Sequence, residues 1–341
     1  MKKTQVALAA LALVASTAAL ADGVTIYGSI DASIAQESGG KTHFDGTGNW
    51  LGSIFGFKGS EDLGGGTTVG FNLESGFNGG DGTISNGGVA TTSGVFNRKA
   101  NVFIGGEFGT LTGGIQLNPY IGAALGSMLN ANESFYVPML LLTAGNSGTG
   151  VSYGGTLQNA GFFVPNSVSY SLPAIGGLNV SVLKSSAGSG STDSTNTVTA
   201  GSASASVGAI NLAAGYMDRT STNKNYTFTA NTKFGDLGLG AGFFNVKNEG
   251  ATSINTYHIA ASYPLAANLT LSGNYAENGT SGGSMALTNI GLQYNLSKSS
   301  YFYGTASHAK NGAYTTYSGA NGIGVAGTSN NGFAVGLVKA F

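Results

Sequence analysis

Gly332-Phe333-Ala334-Val335-Gly336-Leu337-Val338-Lys339-Ala340-Phe341 ends the chain, with Phe333, Val335, Leu337 and Phe341 on one parity and Gly332, Ala334, Gly336 and Ala340 on the other. Successive side chains of a β-strand point to opposite faces, so this writing predicts a strand that separates two different media. The same period recurs upstream. Tyr226, Phe228, Ala230 and Phe234 alternate with Thr227, Thr229, Asn231 and Lys233. Leu269, Leu271 and Tyr275 oppose Thr270, Ser272 and Asn274, and Ile290, Leu292, Tyr294 and Leu296 oppose Asn289, Gln293 and Asn295. Each segment has about the 9–11 residues of a tilted membrane strand. One face suits lipid and the other water.

Tight turns join these segments at one end, at Gly235-Asp236, Pro264 to Asn268 and Leu296 to Ser299, and long Gly/Ser/Thr/Asn stretches join them at the other. Short turns on one side and long loops on the other belong to barrels of an outer membrane. From Val24 to Phe341 the pattern yields about sixteen strands, an even number as a single-chain bacterial barrel requires. The expected fold is all-β: one 16-stranded antiparallel transmembrane β-barrel. Tyr27, Trp50, Tyr257, Tyr263, Tyr301 and Tyr303 lie towards strand ends, where an aromatic girdle is expected.

Composition agrees. Charged residues make up 9% of the chain, against about 25% in a soluble domain. Glycine, at 58 of 341 residues, is well above its usual share of ~7%. Lys2 and Lys3, the apolar Val6 to Leu20 and the small-residue site Ala19-Leu20-Ala21 read as a signal peptide over residues 1–21, followed by a single domain over 22–341. Removal of those lysines leaves a slight excess of acid, so no nucleic-acid partner is indicated. Beyond the signal no apolar run approaches the ~20 residues of a membrane helix. With no cysteine, stability must come from closed backbone hydrogen bonding, which in lipid only helices and barrels provide.

The longest departure from alternation runs from about Asn118 to Gly150 and carries Pro119, Glu133, Pro138 and the apolar run Val137, Met139, Leu140, Leu141 and Leu142. A connection of this length inside a barrel calls for a function. An external loop would gain nothing from that apolar run, so the segment is expected to fold into the lumen and narrow it.

Val24-Thr25-Ile26-Tyr27-Gly28, the run Phe55-Gly56-Phe57-Lys58-Gly59-Ser60-Glu61-Asp62-Leu63-Gly64-Gly65-Gly66 and Leu73-Glu74-Ser75-Gly76-Phe77 resemble the trimeric general porins of Gram-negative outer membranes. Phe96-Asn97-Arg98, Phe108 to Gly113, Asn166 to Pro173 and the terminal strand extend the likeness over the mature chain. The resemblance implies a sixteen-stranded barrel in a homotrimer, the third external loop folded inward, and a transverse field between loop carboxylates and a ladder of wall arginines. It also implies contact with outer-membrane lipid and lipopolysaccharide, and a terminal Phe341 that the barrel-insertion machinery reads as an assembly signal. Against that pattern, positions expected to be basic are Ile54, Ile115, Phe163 and Ser169, and the terminal strand has Val338 and Ala340 around Lys339. Arg98 is the main survivor of the ladder, with Lys99 beside it. Parity does not decide where Arg98 points: Phe96, Ala100, Val102 and Ile104 share its face, while Asn97, Lys99 and Asn101 lie opposite. The resemblance places it in the pore. The only carboxylate between Asn118 and Gly150 is Glu133. One acid facing one or two bases makes a weak field, and charge selectivity depends on rings of charged side chains.

Enzyme-like signals are weighed against this. Gly150-Val151-Ser152-Tyr153-Gly154 has the spacing of a serine nucleophile elbow, with His258 and His308 downstream, but such an elbow needs a strand, a sharp turn and a helix. Here it sits in a Gly/Ser-rich stretch where the match arises from composition. Gly322 to Gly327 matches a dinucleotide fingerprint, yet the chain ends too soon for the acidic partner ~20 residues on. His43, His258 and His308 lack metal-ligand spacing, and Glu61-Asp62 precedes a glycine turn where solvated acids are ordinary. No metal or cofactor is expected. The sequence therefore points to passive diffusion of water, ions and small hydrophilic solutes through a weakly charged constriction. Two alternatives stand beside it: a channel adapted to neutral or partly apolar solutes, and a plugged barrel acting in adhesion or structure.

Overall fold

The computed structural model describes residues 22–46, 48–84, 94–129, 151–152, 162–186, 197–219, 223–248, 253–280, 283–310, 315–316 and 327–341. The expected signal peptide, and Glu133, Val137, Met139, Leu140, Leu141 and Leu142, lie outside them.

Where apolar and small or polar residues alternate, the backbone is extended and the two classes part to opposite faces. In Ile254–Ala266, Thr256, His258 and Ala260 are buried, whereas Tyr257 and Ile259 are each 60% exposed. In Asn223–Phe234, Asn225, Thr227 and Thr229 are buried and Tyr226 and Phe228 exposed. In the terminal strand, Phe333, Val335 and Leu337 face out and Ala334 and Val338 face in. The exposed apolar band is the lipid face and the polar side is the lumen wall.

Sixteen strands build that wall: β1 (Asp22–Glu37), β2 (Ile54–Gly64), β3 (Thr67–Gly76), β4 (Lys99–Gly106), β5 (Gly109–Leu117), β6 (Phe163–Ser171), β7 (Asn179–Ser185) and β8 (Val198–Val207). The second half is β9 (Ile210–Arg219), β10 (Asn223–Phe234), β11 (Leu237–Asn248), β12 (Ile254–Ala266), β13 (Leu269–Thr280), β14 (Gly283–Ser297), β15 (Ser300–Lys310) and β16 (Ser329–Ala340). Each pairs antiparallel with its sequence neighbours, and β1 pairs with both β2 and β16, which closes the ring. The closing register runs from Ser29 opposite Ala340 to Glu37 opposite Gly332. Closure removes every sheet edge from the lipid, the condition that lets a sheet cross a membrane. The backbone of Phe341 extends the seam, exchanging two 3.0 Å hydrogen bonds with Gly28.

The short turns lie where expected, at Gly235-Asp236 and, tighter than the sequence suggests, at residues 267–268 and 298–299, because the strands run on to Ala266 and Ser297. Between β2 and β3, Gly64, Gly65 and Gly66 all have positive φ, a conformation that side chains resist. The Asp62 carboxylate accepts from Gly64 N at 2.8 Å, so this acid caps a turn.

Helix α1 (Pro119–Ala124) opens the long β5–β6 connection. Asn118 caps it by accepting from Tyr120 N, and Pro119 stands at its first turn, where a missing N–H costs nothing. Tyr120, Ile121 and Ala124 are buried against Phe162, Phe163, Val164, Leu183, Val198, Ala200, Met217 and Phe244. Thr229 Oγ1 donates to Ala123 O at 2.8 Å and Asn231 Nδ2 to Gly126 O at 2.7 Å. Both belong to the inward row of β10, so the described start of this connection lies on the lumen side of the wall. At Gly240 a Cβ would stand 2.0 Å from Ser127 O; only glycine admits the backbone there.

Candidate functional site

Glu74 lies near the end of the inward row of β3, directly opposite Lys99 at the start of β4. It is buried and takes three donors: Arg98 Nε at 2.6 Å, Lys99 Nζ at 2.8 Å and Tyr27 OH at 2.8 Å. One carboxylate thus pairs with two bases through charge-assisted hydrogen bonds, which leaves the group one positive charge in excess. Lys99 lies on the strand's inward parity with Asn101, which bonds Asn72 across the ladder at 3.2 Å. Arg98 stands just ahead of β4, where alternation has not begun. Its backbone N–H donates to Glu74 O and its guanidinium turns inward over the Phe163 ring, 4.6 Å from the centroid. The parity ambiguity is resolved by strand ends, and both bases face the lumen.

Tyr27 reaches Glu74 by crossing Gly56, which lies between them in the ladder. A Cβ on Gly56 would sit 2.6 Å from the tyrosine ring and 2.7 Å from Leu73 O. Lys58 Nζ lies over the Tyr27 ring, 5.5 Å from its centroid, a cation–π distance. Lys58, Tyr27, Glu74, Lys99 and Arg98 therefore form one connected strip on β1–β4.

The neutral positions are distributed around that strip. Ile54 opposes Ser29 on the inward row of β1. Phe163 is buried beneath Arg98, in the apolar cluster under α1. Ile115 opposes Ala100 beside the φ +124° glycine Gly114 and packs at the edge of the same cluster. Next to it Gln116 is buried, accepting from Ser169 Oγ at 2.5 Å and donating to Ser167 Oγ at 3.1 Å. At the mouth, Asp81 accepts from the Thr83 hydroxyl at 2.6 Å and its backbone N–H at 2.9 Å, and these bonds hold its carboxyl below the usual range.

Sequence reasoning missed Glu74, although the signal was there. Glu74 shares parity with Asn72 in a strand, and a charge in a membrane strand belongs on the lumen side. The girdle assignment is corrected for four aromatics: Tyr301 opposes the inward Val338 and packs against the Trp50 cluster. Tyr27 bonds Glu74 inside, Trp50 is fully buried and stacked at 5.0 Å on Tyr303, and Tyr303 OH donates to Asp31. Tyr257 and Tyr263 do stand on the outer face.

Ser152 lies in a two-residue strand, Val151–Ser152, paired parallel with Thr315–Thr316. His258 is buried on the inward row of β12 with Nδ1 3.1 Å from Ser127 Oγ, and His308 Nδ1 lies 2.6 Å from Asn331 Oδ1. Among the described residues no three metal-ligating side chains come together.

A closed sixteen-stranded barrel with an apolar outside and a polar, charge-bearing inside defines an outer-membrane channel protein. A family model for Gram-negative porins matches residues 7–336, and the chain belongs to that family. It is 33% identical over 184 residues to outer membrane porin protein 32 of Delftia acidovorans, an alignment covering 52% of this chain and 48% of that one. The chain thus aligns with about half the length of that relative. Among solved structures, the anion-selective porin from Comamonas acidovorans superposes with a TM-score of 0.78 at 24% identity, over 94% of this chain and 99% of the other. The trimer form of OmpT from Vibrio cholerae does so with 0.65 at 14% identity, over 94% and 99%.

Proposed function

We propose that this porin is a passive diffusion channel for water, ions and small hydrophilic solutes, with a weakly charged constriction. The observation that carries this reading is Glu74: a wall carboxylate shared by Arg98 and Lys99 offsets one of their two positive charges and so weakens the field that uncompensated bases would set up. Weak selectivity follows, because selectivity needs rings of net charge. The anion preference in the name of the Comamonas relative would here depend on Lys58, Arg98 and Lys99 prevailing over that carboxylate. Glu133 and the apolar Val137, Met139, Leu140, Leu141 and Leu142 belong to the connection that α1 opens, and they are proposed, with Ile54, Ile115 and Phe163, to narrow the lumen without adding much charge. Passage of neutral or partly apolar solutes is the second reading, favoured by Ile54 on the inward row.

The family and fold are those of a channel, and no catalytic role is proposed for Ser152. Residues 1–21 are proposed as the signal peptide and 22–341 as the mature porin. It would assemble as a homotrimer, as the trimer form of the Vibrio protein suggests, among outer-membrane lipid and lipopolysaccharide after insertion through recognition of Phe341.

Single-channel recording in planar bilayers under a salt gradient tests this. Conductance steps in threes with a reversal potential near zero are expected. Absence of conductance would turn the reading to a plugged barrel, and a Nernstian anion potential would refute the compensated constriction.

A further inference from the structure

We propose that residues 48–53, in the first external connection, form a second inward constriction element, fastened by Asp31 and capped by Trp50, facing α1 from the opposite wall. A three-residue strand, His43–Asp45, pairs with the same edge of β1 as β2 does. Asp45 opposes Ser33 and Ile54 opposes Ser29, so only Ile30, Asp31 and Ala32 of β1 face everything between. A β-bulge usually inserts one residue; here the excess chain is too long to stay in the ladder and must leave the wall.

It leaves towards the lumen. Ser29, Asp31 and Ser33 are buried on the inward row of β1, between the exposed Ile30 and Ile34, and the segment bonds to these three. Asp31 Oδ2 accepts from Trp50 N at 2.7 Å and Leu51 N at 2.8 Å, while Oδ1 accepts from Tyr303 OH at 2.7 Å. Ser29 Oγ donates to Gly52 O at 2.8 Å, and Asn49 Nδ2 to Ser33 Oγ at 2.6 Å. Trp50 fills a pocket with Ala35, Tyr303, Ala334 and Val338, all on the inward rows of β1, β15 and β16. A carboxylate accepting several fixed donors is a strong fastening. In a ring of sixteen strands β1 stands opposite β9, and β9 is where α1 seats, with Gly215 admitting Ala123 and Tyr120. Two inward elements on facing walls bound one passage.

The proposal rests on the channel reading, and its test separates the two. Trp50 is the only tryptophan, so its fluorescence reports on this segment alone. Asp31→Ala should red-shift Trp50 emission, raise quenching by acrylamide and increase unitary conductance, while circular dichroism still reports a folded barrel. Released Trp50 with unchanged conductance would show that the segment does not bound the pore, and unchanged emission would show that Asp31 does not fasten it. Should Asp31→Ala fail to fold, Leu51→Cys in this cysteine-free chain serves instead: a charged thiol reagent added to the open channel should lower conductance, and no effect overturns the proposal. A wild-type protein without conductance would fail the channel reading itself.

Discussion

Glu74 is a single acid on which Arg98, Lys99 and Tyr27 converge, so its removal should be felt in selectivity more than in folding. Glu74→Gln keeps the shape and an acceptor oxygen but leaves both bases uncompensated. The reversal potential in a salt gradient should then move towards that of a perfectly anion-selective channel, and a reversal potential equal to wild type would sink the compensation argument. At Gly56 the constraint is steric. Gly56→Ala drives a methyl into Tyr27 and the Leu73 carbonyl, and such overpacking costs typically about 1–3 kcal/mol. A lower midpoint of thermal unfolding is expected, together with loss of the Tyr27 contact to Glu74. Arg98 and Lys99 were visible in the sequence as candidates; the acid that pairs them was not singled out, because it lies far from them along the chain and only strand register brings it opposite.

Among elements, the strands were the most legible. The exposed Tyr226 and Phe228 and the buried Thr227 and Thr229 of β10 follow directly from the period-2 pattern, since one face must meet lipid and the other water. Helix α1 was not foreseen as a helix, because Asn118-Pro119 was read only as the start of an excursion, although a capping residue followed by proline is a helix-start signal. Asn118→Ala removes the cap from Tyr120 N and should cost about 1 kcal/mol, read as earlier thermal unfolding and larger current noise if α1 loosens on its wall. The seam element makes a further prediction. Deleting Phe341 removes both backbone hydrogen bonds to Gly28, so folded, heat-modifiable protein recovered from the outer membrane should fall; undiminished recovery would exclude the assembly role.

At the scale of the molecule, closure decides stability and the lumen decides function. Ile259 stands outward midway along β12, and Ile259→Arg should destabilise the barrel by about 2–4 kcal/mol, the penalty of a charge on the lipid face near the bilayer centre. Urea unfolding in lipid vesicles measures it, and an unchanged midpoint would contradict the lipid-facing assignment. By itself the sequence determined the barrel, its membrane and a count of about sixteen strands, because alternation and composition are local records of two solvents. Only the tertiary structure decided that Arg98 turns inward, that Glu74 answers it, and that Trp50 and Tyr303 belong to the lumen and not to a girdle. Those facts depend on register between strands distant in sequence and on backbone that leaves the ladder, where parity no longer tells inside from outside.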